Sequence, residues 1–185
     1  MPAAPTPDAE WIFPAERTRQ GGMARVHYAE GHDRLTKPVI ISDGFNSGPS
    51  NMDEFWDGLE NKGYAFATEL SRRGYGLILL GYLERSASLL DNAGVAQECV
   101  QRAIGERVGD APLTVGGFSM GGIITRYTLQ LRQPAPGRVD PRLAPGAPIA
   151  PQASDLDEFR CSTTNTTHSQ MTAELGGWIL DRLPE

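Results

Sequence analysis

The chain has 185 residues, of which 39% are hydrophobic and 22% are charged, and its formal net charge at pH 7 is -6. A chain of this length fits one domain with a sizeable core, so we expect a single domain over residues 1–185. The acidic balance and the lack of a basic block argue against nucleic acid as a partner.

Two further features bear on where the protein works. The first ten residues lack the positive charge and the apolar run of a signal peptide, and no apolar stretch approaches membrane-spanning length. Cys99 and Cys161 lie far apart in the chain. Cys99 falls among apolar residues of a predicted helix, which favours a buried free thiol over a disulfide. We therefore expect a cytoplasmic protein without a membrane span.

The first third of the chain predicts an arm, an edge strand and a central strand. Residues 1–22 carry several prolines and glycines with little periodicity, which indicates an irregular arm. Residues 23–29 alternate well enough for an edge strand. Residues 38–42 form a short β-branched run, typical of a buried central strand, and a glycine-rich loop over 43–49 follows it.

Helices and strands alternate in the next part of the sequence. Ser50 or Asn51 can cap a first helix, and Asp91 or Asn92 can cap a later one. The pattern between them predicts a helix over 64–73 and a buried strand over 77–80, and the later helix extends to residue 104. Because each crossover is long enough for a right-handed parallel connection, this order predicts a doubly wound α/β sheet with helices on both faces.

The most specific stretch is Gly117-Phe118-Ser119-Met120-Gly121, which follows a short apolar run and opens an apolar-periodic segment. A Gly-x-Ser-x-Gly sequence between a strand and a helix is typical of a nucleophile elbow, a strained turn whose flanking positions tolerate little more than glycine. Ser119 would stand at its tip, and the N–H group of Met120 would open the helix, where it can stabilise an oxyanion. An incidental serine in a glycine-rich turn is the alternative interpretation.

A serine hydroxyl is a weak nucleophile without a base beside it. His168 is the candidate base, because it follows the elbow in the chain and directly precedes a predicted closing helix over 171–183. The alternative is a surface loop histidine. His27 and His32 flank the end of the predicted edge strand without ligand-spaced partners, and we interpret both as surface residues. No cluster of metal ligands and no phosphate-binding glycine motif occurs, so no metal and no cofactor are expected.

These residues together resemble the α/β-hydrolase superfamily, in particular bacterial esterases and lipases. The resemblance is carried by the Asp43-Gly44-Phe45 loop, the elbow, and His168 before a terminal helix. It implies an α/β-hydrolase-like, doubly wound, mostly parallel sheet. It also implies Ser119 as nucleophile, His168 as base, and the amides of Phe45 and Met120 as the oxyanion hole. The expected activity is hydrolysis of a small-molecule carboxylic ester through an acyl-enzyme, although thioesters, lactones and amides share this chemistry.

The sequence departs from that family after the elbow helix. Family members carry further strands there, with the triad acid after one of them, whereas residues 134–154 of this chain predict a proline-rich loop. Some C-terminal strands are therefore expected to be missing, which would expose a sheet edge that a homodimer could cover. The alternatives to an ester hydrolase are a catalytically weak or inactive remnant of the fold that acts in binding or assembly, and an acyltransferase. The sequence does not assign the triad acid. Asp157 is the first candidate, Asp155, Glu158 and Asp140 are the others, and a site without an acid is the remaining alternative.

Overall fold

The computed structural model describes residues 4–61, 64–130, 176, 177, 179–181 and 183. Strands and helices alternate along most of this range, as the sequence predicts. The elements are β1 (Ala9–Phe13), α1 (Ala15–Thr18), β2 (Gly22–His27), β3 (Val39–Ser42), α2 (Met52–Glu60), α3 (Phe66–Arg72), β4 (Leu77–Tyr82), α4 (Leu89–Glu106), β5 (Thr114–Gly117) and α5 (Met120–Gln130).

The five strands form one twisted sheet in the order β1-β2-β4-β3-β5. β3 pairs in parallel with both β4 and β5, whereas β2 is antiparallel to β1 and to β4. The parallel α/β core predicted from the sequence is confirmed, with an antiparallel pair added at one side. Among the described residues β5 forms the other end of the sheet. The homodimer predicted to cover such an edge stays a prediction.

Helices cover both faces of the sheet, and β4 shows why. Ile78, Leu80 and Tyr82 pack toward the face that carries α4 and α5, whereas Leu77 and Leu79 pack toward α2 and α3. Every residue of β4 is buried. A strand covered on both faces requires a continuous apolar run rather than alternation.

The sequence interpretation of the first 29 residues was wrong in two respects. Part of the expected irregular arm is the strand β1, in which Trp11 and Phe13 are buried and Ile12 between them is exposed. β1 pairs with β2, so the strand expected at the edge lies between β1 and β4. Burial alternates along Ala9–Phe13, but Ile12 is apolar at an exposed position, so the sequence itself shows no clean period-two pattern.

Side-chain caps fix the start of two helices. Asn51 caps α2 by accepting hydrogen bonds from the amides of Asp53 and Glu54, both at 3.2 Å. This confirms one of the two predicted caps. α4 begins earlier than predicted, because Ser88 accepts the capping hydrogen bond, and the predicted caps Asp91 and Asn92 lie within the helix. The general effect of such a cap is to satisfy an amide that the helix leaves unpaired.

The end of the chain is described at a few positions. Residues 176, 177, 179 and 180 are helical, within the closing helix predicted over 171–183. Leu180 is 2% exposed and packs with the core formed by α2 and α3, and Asp181 forms an ion pair of 3.1 Å with Arg73. The predicted loop over 134–154 lies outside the described residues. Within the described ranges, no helix combines the length and the apolar character needed to cross a bilayer.

Candidate active site

Ser119 stands on a sharp turn between β5 and α5. Its φ is 54°, in the left-handed region that a residue with a side chain rarely adopts, and its side chain is exposed. The amide of Gly121 donates to the carbonyl oxygen of Phe118 at 2.7 Å, and the amide of Gly122 donates to that of Ser119 at 3.1 Å. The strand therefore turns into the helix within two residues, with the serine at the tip.

The glycines of this turn are required by close approach of the backbone. A methyl group on Gly117 would lie 2.6 Å from the carbonyl oxygen of Gly121 and 2.7 Å from the nitrogen of Gly122. A methyl group on Gly121 would lie 2.5 Å from the carbonyl oxygen of Ser42, at the end of β3. Such distances are impossible for carbon, so the helix can approach the strands this closely only without side chains at 117 and 121.

The loop after β3 reaches the same turn. A methyl group on Gly44 would lie 3.0 Å from the carbonyl oxygen of Phe118 and 3.2 Å from Cβ of Ser119. The amide of Phe118 also donates to the carbonyl oxygen of Ser42 at 3.0 Å. Parallel central strands, an exposed left-handed serine between strand and helix, and a glycine loop beside it define one architecture. The fold is that of the α/β-hydrolases.

Comparisons with known proteins show likenesses of fold only. The sequence matches no protein-family model and no curated protein. Among solved structures, the chain is similar to Est1E from Butyrivibrio proteoclasticus, with a TM-score of 0.48 and 13% identity over 66% of this chain and 45% of that one. An alpha-beta serine hydrolase homologue from Coxiella burnetii matches with a TM-score of 0.45 and 9% identity, over 70% and 61% of the two chains. An epoxide hydrolase from Aspergillus niger matches with a TM-score of 0.41 and 15% identity, over 65% of this chain and 30% of that one. The chain spans less than two thirds of the length of each of these proteins.

The two amides predicted to form the oxyanion hole belong to segments that meet at the elbow. Met120 is the first residue of α5, where N–H groups lack helical partners and the helix dipole is positive. Phe45 follows Gly44 on the neighbouring loop, and 63% of its side chain is exposed. Within the described part of the chain, neither amide donates a hydrogen bond to another protein group. Among the described residues, both N–H groups therefore remain without a protein acceptor.

Two of the three histidines lie at the far end of the sheet. His27 pairs with Leu77 at the start of β4, whereas the elbow follows Gly117, which is aligned with Ser42 and Leu80. This register separates His27 from the elbow by ~10 Å along the strands and ~14 Å across them. His32 lies beyond it, on the loop that follows β2. Neither imidazole can reach the serine, because a catalytic base must approach within about 3 Å.

His27 is not the solvated surface histidine that we predicted. Its ring lies 4.5 Å from the ring of Trp56, between centroids, and it is half-buried. Burial lowers the pKa of His27, and the nearby Asp8 opposes part of that effect. The ring therefore stays neutral in the fold to lower pH than a free histidine does. His32 is exposed, as predicted.

The polar groups beneath the elbow are buried and are paired with each other. The hydroxyl groups of Ser42 and Tyr82 lie 2.6 Å apart. Burial raises the pKa of the Tyr82 phenol and also that of the Cys99 thiol, so both stay protonated at neutral pH. Cys99 is a free, fully buried thiol, as predicted. The hydroxyl groups of Ser42 and Tyr82 thus pair with each other, and the Cys99 thiol is shielded from solvent.

Several sequence-predicted site residues lie outside the described residues. They are His168 and the four candidate acids Asp140, Asp155, Asp157 and Glu158. In the ranges that the structure describes, no group of three or more histidine, cysteine or acidic side chains could hold a metal ion. From the sequence, the exit of the strand over 77–80 could contact substrate, but a surface pair of Glu84 and Arg85 is the favoured interpretation. In the structure both residues contact the loop beside Ser119. Their position directly after a central strand, at the same sheet end as the elbow, was the available signal.

Proposed function

We propose that this protein is a serine hydrolase that cleaves carboxylic esters through an acyl-enzyme on Ser119, with His168 as general base. The observation that carries the proposal is the left-handed backbone of Ser119, with φ of 54°, on an exposed turn between β5 and α5. For a residue with a side chain, this left-handed backbone conformation costs about 1–2 kcal/mol relative to the right-handed one. Backbone strain of this kind is concentrated at functional sites.

The reaction follows from the chemistry of the proposed groups. Oγ of Ser119 attacks the ester carbonyl carbon while His168 takes the hydroxyl proton. The amides of Phe45 and Met120 donate to the oxyanion that forms on the carbonyl oxygen. His168 then gives its proton to the departing alcohol, which leaves the acyl group on Ser119. Water, deprotonated by the same imidazole, releases the acid and restores the serine.

The assignment of the base is supported by elimination. The chain has three histidines, and the register of β2 places His27 and His32 at the sheet end opposite the elbow. His168 is the remaining imidazole, and it follows the elbow in the chain order of these enzymes. Asp157 is the first candidate for the acid that orients it. The other candidates stay open.

Two exposed apolar side chains suit a substrate with an apolar acyl group. Phe45 is 63% exposed on the loop beside Ser119, and Ile123 is 59% exposed in the first turn of α5. Burying such groups against an acyl chain would be favourable, at about 25 cal/mol per Å² of apolar surface. We therefore propose small carboxylic esters as the substrate class, and thioesters or amides as competitors for the same chemistry.

The test is covalent labelling by a fluorophosphonate probe, combined with turnover of p-nitrophenyl esters of short and long chain. We expect labelling of the wild type, none in Ser119→Ala, and a strong reduction in His168→Ala. His32→Ala removes an exposed histidine at the far end of the sheet and should behave as the wild type. Equal labelling of wild type and Ser119→Ala would contradict the proposal, as would equal losses in the two histidine variants.

A second candidate function is favoured by one observation. Among the described residues, the sheet ends at the elbow strand β5. A hydrolase fold of this kind could serve binding or assembly without turnover. A folded protein that shows neither labelling nor ester turnover would support this second candidate over the first.

A further inference from the structure

The loop that carries Phe45 is held at its far end by the two residues that follow the exit of β4. The amide of Gly48 donates to Oε1 of Glu84 at 2.9 Å. The carbonyl oxygen of Gly48 accepts from the amide of Arg85 at 3.0 Å. Both backbone polar groups of Gly48 are thereby bound to the pair Glu84-Arg85.

The near end of the same loop is held by the Arg85 side chain. Nη1 of Arg85 donates to Oδ2 of Asp43 at 3.5 Å, and Oδ1 of Asp43 accepts from the amide of Gly44 at 2.7 Å. The side chains of Arg85 and Asp43 are only 15% and 14% exposed. Water and salt screen such a pair much less than they screen an exposed one. The carboxylate of Asp43 thus links the guanidinium to the amide of Gly44, the residue before Phe45.

Glu84 is suited to its contact because it is an acceptor with fixed geometry. Its Oε1 accepts from the hydroxyl of Ser86 at 2.6 Å, from the amide of Ser86 at 3.0 Å and from the amide of Gly48. The hydroxyl of Ser86, followed by the two amides, holds the pKa of Glu84 below its usual range. An ionised carboxylate offers only acceptors, so it keeps the N–H group of Gly48 oriented.

Phe45 itself contributes little to holding the loop, since its side chain is 63% exposed. We propose that Glu84 and Arg85 are positioning residues that clamp the loop at Gly48 and at Asp43, and thereby aim the amide of Phe45 at the oxyanion formed on Ser119. This inference rests on the proposed function. The clamp acts through the loop, so neither residue touches the substrate.

The first experiment is a double-variant cycle on Asp43 and Arg85. Asp43→Asn keeps an oxygen that can accept from the amide of Gly44 but removes the negative charge of the ion pair. Arg85→Gln removes the positive charge of the same pair. Loss of a whole oxyanion donor lowers kcat roughly 10²- to 10³-fold, so we expect each variant to lower kcat by roughly 10- to 100-fold. KM should change little, because the amide acts on the transition state. The double variant should lose no more kcat than the more impaired of the two single variants, because both substitutions break the same interaction.

The second experiment separates the hydrogen bond of Glu84 from a merely structural effect. Glu84→Ala removes the acceptor for the amide of Gly48, whereas Glu84→Gln retains an amide oxygen at the same place. We expect a lower kcat for Glu84→Ala and a clearly smaller loss for Glu84→Gln. Equal losses in the two variants would contradict a clamp that works through this acceptor.

Arg72→Gln is the matched control. Arg72 pairs with Glu69 on the exposed side of α3, close to the start of β4 and away from the elbow. Its removal should leave kcat and KM at the wild-type values. Each variant is checked by circular dichroism and thermal unfolding. If Arg85→Gln does not fold, Arg85→Lys replaces it, and its kcat loss should still vanish in the Asp43→Asn background.

The outcomes distinguish this inference from the function on which it rests. Wild-type protein without Ser119-dependent labelling overturns both. The clamp alone is overturned if the wild type is labelled and active but the folded clamp variants keep the wild-type kcat. It is also overturned if their losses are confined to KM, or if the losses of the two single variants add up in the double variant.

Discussion

Gly44 lies so close to Ser119 that a methyl group on its α-carbon would stand 3.2 Å from Cβ of the serine. This contact joins two parts of the chain that are distant in sequence, the loop after β3 and the elbow after β5. It also brings the loop that carries Phe45 against the elbow. The geometry of the candidate site therefore depends on how closely these two loops approach.

Gly44→Ala tests that approach. The added methyl group would also lie 3.0 Å from the carbonyl oxygen of Phe118, so one loop must move by a few tenths of an ångström. We expect kcat on p-nitrophenyl esters to fall by about tenfold, since small displacements of a catalytic group are costly. Gly58→Ala, in α2 where a methyl group meets nothing within 4 Å, is the control. Equal activity of the two variants would refute a close functional contact.

Ser119→Gly and Ser119→Ala separate backbone strain from the hydroxyl. Both variants lack the nucleophile, but only alanine keeps a Cβ at φ of 54°. We expect the glycine variant to be the more stable of the two by about 1 kcal/mol in urea unfolding, since glycine adopts positive φ without steric cost. A glycine variant no more stable than the alanine variant would show that the turn is not strained.

His27 predicts a pH dependence of stability. Burial against Trp56 lowers its pKa below the ordinary value of 6.5, so folding favours the neutral ring. The associated stability is present above pH 6.5 and is lost as the pH falls through the lowered pKa. Thermal unfolding between pH 5 and 8 should show a smaller loss toward acid pH in His27→Gln than in wild type. His32→Gln, at an exposed site, should keep the wild-type slope.

Leu180→Ala tests the docking of the chain end. Leu180 is 2% exposed against the core of α2 and α3. Removing a buried leucine costs about 2–5 kcal/mol, because apolar contacts are lost and a cavity remains. Leu90→Ala, at a leucine that is 56% exposed, should change the free energy of unfolding by about 0.5 kcal/mol or less. Similar small effects in both variants would mean that the end contributes nothing to the core.

Local pattern was sufficient for much of this fold. The Gly-x-Ser-x-Gly turn, the cap at Asn51 and the buried run of β4 were each predicted from neighbouring residues, and the structure contains all three. Their signals are local because capping, close backbone approach and double-sided burial each restrict residue types within one turn or strand. The fold class followed from the order of these elements.

Contacts between distant segments could be found only in the tertiary structure. Because β2 pairs with β1 as well as with β4, it lies inside the sheet and not at its edge. The register of β2 with β4 places His27 at the sheet end opposite the elbow. Glu84 and Arg85, which the sequence suggests are a surface pair, instead hold the loop at Gly48 and Asp43. Strand order and register depend on the joint burial of residues far apart in the chain, which no single stretch of sequence encodes.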